Sequence, residues 1–416
     1  MKTRILAAPF LALAMAASPA AAQTSDAVQA EIEALKQRIS ELEAMVSDGE
    51  PLQEPTEQPK EAVTEEAAEP ETGIDFGGAV RLNYAWRDYD DGNKDRVGDF
   101  ELELIRINMD GQIGGVGLSA EHRFYNGFEA IHHAYVEYPV REEGLRAQLG
   151  ITQVPFGILP YASHSFWFSG NYYMGFEDDY DTGLKFLWND GPWDAQFAFY
   201  KNPEYADDSR YGRYSFDLAT GGDQYNSETN QWNARVARKI EHAGGSTTLG
   251  VSAQYGQIYN SATTDDGERW AAGIHANTYI GKWNFMLQYV AYEHDPENPA
   301  EVSDDTVQLA AFDFPFLMAA EGEVSVANIA RSFDLDWGPI TGMTCYNDFT
   351  YIEPKAADWQ RESIQNVTGC SISAGGLYTY VDWIAGKNMW FAGGPGIGLN
   401  DSKWRSRLNV NFGYYF

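Results

Sequence analysis

The chain has 416 residues, with 61 acidic against 29 basic side chains, and its net charge of −32 excludes a nucleic-acid partner, which would need a basic face. Forty glycines and an aromatic content of 14% point to many short strands and turns rather than to helical bundles. Beyond an apolar stretch inside residues 5–22 nothing is long enough to cross a membrane as a helix, yet a transmembrane barrel survives this test because it spreads its apolar face over alternate residues.

Residues 1–22 read as a secretory signal peptide. Lys2 and Arg4 precede an apolar run, and Ser18-Pro19-Ala20-Ala21-Ala22 forms a small-residue exit. Loss of Lys2 and Arg4 with this leader takes the net charge from −32 to −34. The destination is an oxidising compartment, where cysteines can pair.

Residues 23–46 are expected to form a periplasmic coiled coil. Ile32, Ile39 and Val46 fall at heptad position a, with Val28, Leu35 and Leu42 at d. Glu31 and Arg38 at g face Lys36 and Glu43 at e of a neighbouring parallel helix. Isoleucine at a with leucine at d leans towards a dimer in isolated peptides, a preference that a tethered domain can override. Residues 47–74 are rich in proline and glutamate, and read as an acidic linker with too little apolar surface to fold.

From 75 to 416 the dominant period is two. Leu408, Val410, Phe412, Tyr414 and Phe416 alternate with Arg407, Asn409, Asn411, Gly413 and Tyr415, and similar runs recur throughout. Most are ten residues or longer and carry terminal aromatics, the pattern of a membrane barrel with aromatic girdles. Short turns alternate with long loops once 305–316 is assigned to a loop, which gives sixteen strands, with eighteen the main alternative. The first strand is placed at 77–87 and the twelfth at 320–334. The expected class is therefore all-β: a sixteen-stranded antiparallel transmembrane β-barrel, wide enough for an aqueous channel, with an N-terminal α-helical coiled coil.

Alternation assigns Arg81, Arg87, Arg106, Arg123, Arg146, Lys185, Arg235, Arg269, Arg405 and Arg407 to the channel wall. Glu101, Glu103, Glu121, Glu137, Asp181 and Asp382 face them. Fixed guanidinium donors favour small anions, whereas pairing with the acids would only brace the wall. Loop 155–179 is oddly apolar, and is expected to fold inward as a constriction built on Pro155, Phe156, Gly157, Trp167 and Phe168. Loop 295–319, with Phe312, Phe314 and Phe316, is expected to do the same. The run Glu177-Asp178-Asp179-Tyr180-Asp181 lacks the spacing of a calcium loop, so no metal site is expected. His132 and His133 are expected on opposite faces. No serine–histidine nucleophile motif is present, so neither catalysis nor a cofactor is expected. Cys345 and Cys370 are equidistant from a bend between Ala357 and Asp358, which makes them a disulfide candidate across a hairpin.

The strings Gly150-Ile151-Thr152-Gln153-Val154-Pro155-Phe156-Gly157, Glu177-Asp178-Asp179-Tyr180-Asp181, Tyr346-Asn347-Asp348 and Asn411-Phe412-Gly413-Tyr414-Tyr415-Phe416 resemble the phosphate-selective porin O and P superfamily. The heptads resemble its coiled-coil-bearing branch of trimeric channels for small anions such as dicarboxylates. The resemblance implies a trimeric outer-membrane barrel with inward loops, and a terminal aromatic, Phe416, read by the assembly machinery. Phosphate-selective members carry an arginine ladder and loop lysines, whereas the loops here are acidic. The sequence therefore predicts a porin in the outer membrane of a Gram-negative bacterium, passing small hydrophilic solutes, anions (phosphate or small carboxylates) above all. Its partners would be outer-membrane lipid, the solute and two further copies of itself. The alternative is a structural protein tethering that membrane to the cell wall through the coiled coil.

Overall fold

A computed structural model describes residues 72–141 and 144–416. The expected leader, the coiled coil and nearly all of the linker lie outside the described residues.

Sixteen strands close into one antiparallel barrel. They are β1 Gly73–Arg87, β2 Asp99–Ile113, β3 Val116–Tyr125, β4 Glu129–Arg141, β5 Leu145–Gln153, β6 Tyr180–Asp190, β7 Trp193–Pro203 and β8 Asn226–His242. The ring continues through β9 Gly245–Asn260, β10 Asp266–Ile280, β11 Trp283–Asp295, β12 Glu321–Trp337, β13 Ile340–Pro354, β14 Ser363–Ala374, β15 Leu377–Lys387 and β16 Trp404–Tyr415. β16 pairs with β1 and closes it. One short helix, α1 (Asp91–Asp95), lies between β1 and β2. The sixteen-strand count and the all-β class read from the sequence agree with this barrel, although β1 begins four residues earlier than the 77–87 placement.

Period-two alternation builds the wall. Ile274 is 60% exposed on the outer face while its neighbour His275 is 6% exposed on the inner face. Leu149, Val251 and Leu287 are likewise exposed, forming an apolar outer belt with Trp188, Trp193, Trp232, Trp270, Trp283 and Trp383. The inner wall carries mostly polar groups such as Gln148, Asn233, Gln254, Gln288 and Asn411.

Two of the barrel's six register shifts bear on the inward-facing residues read from the sequence. Opposite Arg81 and Leu82 the partner register skips Glu103, so Glu103 and Leu104 are both turned from the outer face and Glu103 reaches Arg81 at 2.6 Å. Opposite Glu121 and His122 it skips His132. The expectation that His132 and His133 face opposite ways therefore fails: their Nδ1 atoms are 2.8 Å apart on the inner side. A bulge adds one residue to one strand and shifts parity, which a count of two cannot register.

Inside the long-loop half sits a second, four-stranded sheet made of Asp217–Leu218, Thr306–Ala311, Phe314–Ala319 and Gly396–Ile397. The segment 305–316 is thus strand-forming but not part of the wall. Its Phe312, Phe314 and Phe316 sit in and beside a turn where Phe312 and Asp313 adopt φ of 53° and 61°. This sheet and loop 154–179 share one apolar cluster containing Phe156, Tyr172, Phe176, Phe216, Leu309, Met318 and Phe391. Two exposed loops would have left that surface in water; folding inward buries it.

Cys345 and Cys370 are register partners on β13 and β14, and their sulfurs are bonded. Mapping of unreduced peptides is expected to recover one cross-linked pair, and two free thiols would contradict it.

Candidate functional site

Loop 154–179 crosses the interior from β5 to the far wall. There the inner-facing polar side chains bind its backbone. Ser252 accepts from the Gly157 N–H at 3.0 Å, Gln288 from Ile158 at 2.8 Å and Thr350 from Gly170 at 2.9 Å. Arg235 and Asn328 donate to the carbonyls of Gly157 and Ala162 at 2.7 and 2.6 Å. Asp348 makes the densest contact, accepting from the N–H groups of His164 and Ser165 at 2.7 and 2.8 Å and pairing with the His164 ring at 2.7 Å. A buried N–H needs a partner, so the loop's path is dictated by these side chains. Gly157 has φ of 63°, and a Cβ there would meet Gln288 at 2.4 Å, so only glycine permits this approach.

The five residues expected at the constriction all lie on this loop within the barrel. Pro155, Phe156 and Gly157 are buried, with Phe156 packed on Phe176 at a ring separation of 5.6 Å. Phe168 stacks on Tyr172 at 4.2 Å, and Trp167 lies 4.0 Å beneath the Arg407 guanidinium.

Three consecutive acids at the loop's end go three ways, helped by a left-handed Asp178 with φ of 51°. Glu177 staples the loop to itself, accepting from the N–H of Ala162 at 3.0 Å, from the Ser163 hydroxyl at 2.9 Å and from Ser169. Asp178 accepts from the hydroxyls of Tyr214 and Tyr180. Asp179 turns towards Asp181 and Asp217.

Beneath the loop, on the short-turn side, lies a cavity of about 780 Å³. Arg106, Asp110, Glu121, Glu137, Arg146 and Lys185 line its wall, and Leu159 and Pro160 form its ceiling. Eight of the ten cations assigned to the channel from sequence have carboxylate partners. Arg81 pairs with Glu103 at 2.6 Å, Arg87 with Asp90 at 3.3 Å, Arg146 with Glu137 at 3.1 Å and Arg235 with Asp194 at 3.1 Å. Arg405 meets Asp401 at 2.5 Å, Arg269 meets Glu228, and Arg106 and Arg123 share Glu121 at 3.4 and 2.6 Å. A continuous track of free arginines is therefore not what these residues build; most of them brace the wall.

Lys185 and Arg407 differ. Lys185 donates to the Gln153 carbonyl at 2.9 Å, and Arg407 to Asn409 at 3.3 Å; among the described residues neither forms an ion pair. Arg407 lies over the Trp167 ring, so of these two Lys185 is the one that lines the cavity, beside the ion-paired Arg106 and Arg146. Sequence reasoning missed Gln288 and Asp348 as anchors, as well as His164 on the loop itself, whose ring also meets the Asn284 Oδ1 at 2.6 Å. For the strand residues the signal was a polar side chain at an inward position, common to every barrel strand and so uninformative alone.

Titration of the loop has a definite sign. Burial pushes the Glu177 carboxyl from 4.5 up to about 7, against its donated hydrogen bonds. Burial lowers the His164 pKa, but Asp348 more than offsets this and holds it above its ordinary value. Both groups bind protons more tightly in the docked loop than in the free chain. As far as these two groups are concerned, docking weakens as pH rises from about 4.5 to about 7, while Asp178, held below its ordinary value, acts in the opposite sense at lower pH. Chymotrypsin, whose aromatic targets crowd this loop, is expected to cut it faster above about pH 7, and Glu177→Gln is expected to flatten the dependence.

No family model and no curated protein sequence matches the chain. Solved structures do match in fold. The outer membrane channel DcaP of Acinetobacter baumannii is 12% identical with a TM-score of 0.51, covering 82% of this chain and 97% of that one. Outer-membrane expressed OmpT of Vibrio cholerae is 10% identical with a TM-score of 0.51, over 82% of this chain and 97% of its own. Salmonella typhi OmpF, in complex with daunomycin, is 13% identical with a TM-score of 0.51, over 83% and 98% of the two chains. At such identities the likeness is one of fold. It supports a closed antiparallel β-barrel architecture and does not single out the phosphate-selective porin O and P superfamily.

Proposed function

We propose that the protein is a porin of the outer membrane through which small hydrophilic solutes diffuse passively, with a weak preference for anions such as phosphate or small carboxylates. The observation that carries this reading is a closed barrel with an apolar outer belt, whose polar inner wall holds a loop across the lumen. Passage needs no chemistry: wall groups replace hydration and the loop sets the size cutoff. The anion preference rests on Lys185, which forms no ion pair among the described residues, on a cavity wall where Arg106, Arg146 and Lys185 are matched in number by Asp110, Glu121 and Glu137. The motif resemblance to the phosphate-selective porin O and P superfamily fits this reading, with Lys185 in place of a ladder.

A homotrimer is part of the proposal. On the outer face of β13 and β14, Asn347 bonds Asn366 at 3.1 Å and Thr368 at 2.7 Å. Polar amides are costly in hydrocarbon, and a neighbouring copy would remove them from lipid. A coiled coil at 23–46, which the heptads suggest, would join the same copies.

Liposome swelling tests the function. Vesicles holding the protein should swell in small sugars and carboxylates and stop swelling above a size limit, which Asp348→Ala should raise. Vesicles that behave as protein-free ones would remove the porin reading.

A further inference from the structure

Asp179, Asp181 and Asp217 come from three different elements: the end of the inward loop, the start of β6 and the inner sheet. Each offers one carboxylate oxygen, and these oxygens lie within 4.8 Å of one another, all buried. Two ligands of one calcium ion, each roughly 2.3–2.6 Å from it, are separated by at most about twice that distance, so this spacing suits a shared ion. Two further acids stand beside the cluster. Glu204 accepts from the Ser215 N–H at 2.7 Å, and Glu228 from the Leu218 N–H at 2.7 Å, on either side of Asp217.

The charge does not close without a cation. Arg269 pairs with Glu228, and Arg213 reaches Asp217 at 3.5 Å, which leaves the other three carboxylates, Asp179, Asp181 and Glu204, without a basic partner among the described residues. Glu204 is 5% exposed, and its Oε2 has no hydrogen-bond partner there, although its other oxygen is doubly bonded. Oδ1 of Asp179 and Oδ1 of Asp181 are likewise buried without a partner. Burying several unpaired carboxylates side by side is heavily disfavoured, whereas a hard divalent cation takes oxygen ligands of this kind.

We propose that Asp179, Asp181 and Asp217, with Glu204 beside them, bind one calcium ion that fastens the inward loop and the inner sheet to the barrel wall. None of these four acids lines the cavity below the loop. It joins segments far apart in sequence, which is why the acidic run alone, lacking the spacing of a calcium loop, did not reveal it.

The test uses the full chain, folded in detergent with calcium, freed of loosely held ions by gel filtration, and analysed for metal. Wild type and Asp304→Asn, an exposed control, are expected to retain one calcium per chain. Asp217→Asn is expected to retain less than a tenth of that, while still migrating as a folded barrel. Chelation should speed chymotrypsin cleavage of the loop in wild type and leave Asp217→Asn unchanged. Wild type without calcium, or Asp217→Asn holding as much as wild type, overturns the proposal. If Asp217→Asn fails to fold, Glu204→Gln is read by the same criteria.

Discussion

Asp348→Ala is expected to release the loop from the far wall and to raise single-channel conductance several-fold, with noisier open states. The physical reason is the density of the contact. One buried carboxylate accepts from two backbone N–H groups and pairs with the His164 ring, all within 2.8 Å. Its removal orphans those donors and takes away the charge opposite the imidazole, a loss of about 3–5 kcal/mol in loop docking. The barrel itself should persist, because its ladder bonds are untouched and Gly157, Ile158 and Gly170 keep their own anchors. Bilayer recordings with chymotrypsin susceptibility of the loop check both halves. Unchanged conductance in a variant whose loop is cleaved would separate the loop from the constriction.

Lys185→Glu should invert charge selectivity. Lys185 reaches the cavity with no carboxylate partner, so the substitution changes the local field by two full charges. One unit charge at about 4 Å in water is worth about 1 kcal/mol, and the ratio of anion to cation permeability should shift by at least about tenfold. Arg81→Glu, by contrast, exchanges a charge already compensated by Glu103 and held in the wall, and should act through folding rather than selectivity. Reversal potentials under a salt gradient distinguish them. Cation selectivity in the unaltered protein would remove Lys185 from its assigned role.

The contrast between Lys185 and the arginines shows what the sequence could carry. Barrel class, strand count and the inward fold of 155–179 were legible because period-two alternation is local and an apolar loop has few places to go. The disulfide pairing followed from symmetry about one bend, and Cys345 does lie opposite Cys370. Which inward cations are free was not legible, because pairing depends on the neighbour across the sheet. Arg106 and Arg123 converge on one Glu121 only through the β2–β3 register. The facing of His132 and His133 was misread because a bulge changes parity without leaving a turn residue behind. The partnership of Asp179 with Asp217 was hidden most deeply, since it depends on an inner sheet assembled from three loops.

The central claim, that this barrel conducts, is tested most directly by adding the purified full chain to a planar lipid bilayer bathed in symmetric potassium chloride. Discrete, uniform upward steps in current are predicted, larger for Asp348→Ala than for the unaltered chain. A folded, inserted protein that leaves the membrane current at its bare-lipid level would contradict the account.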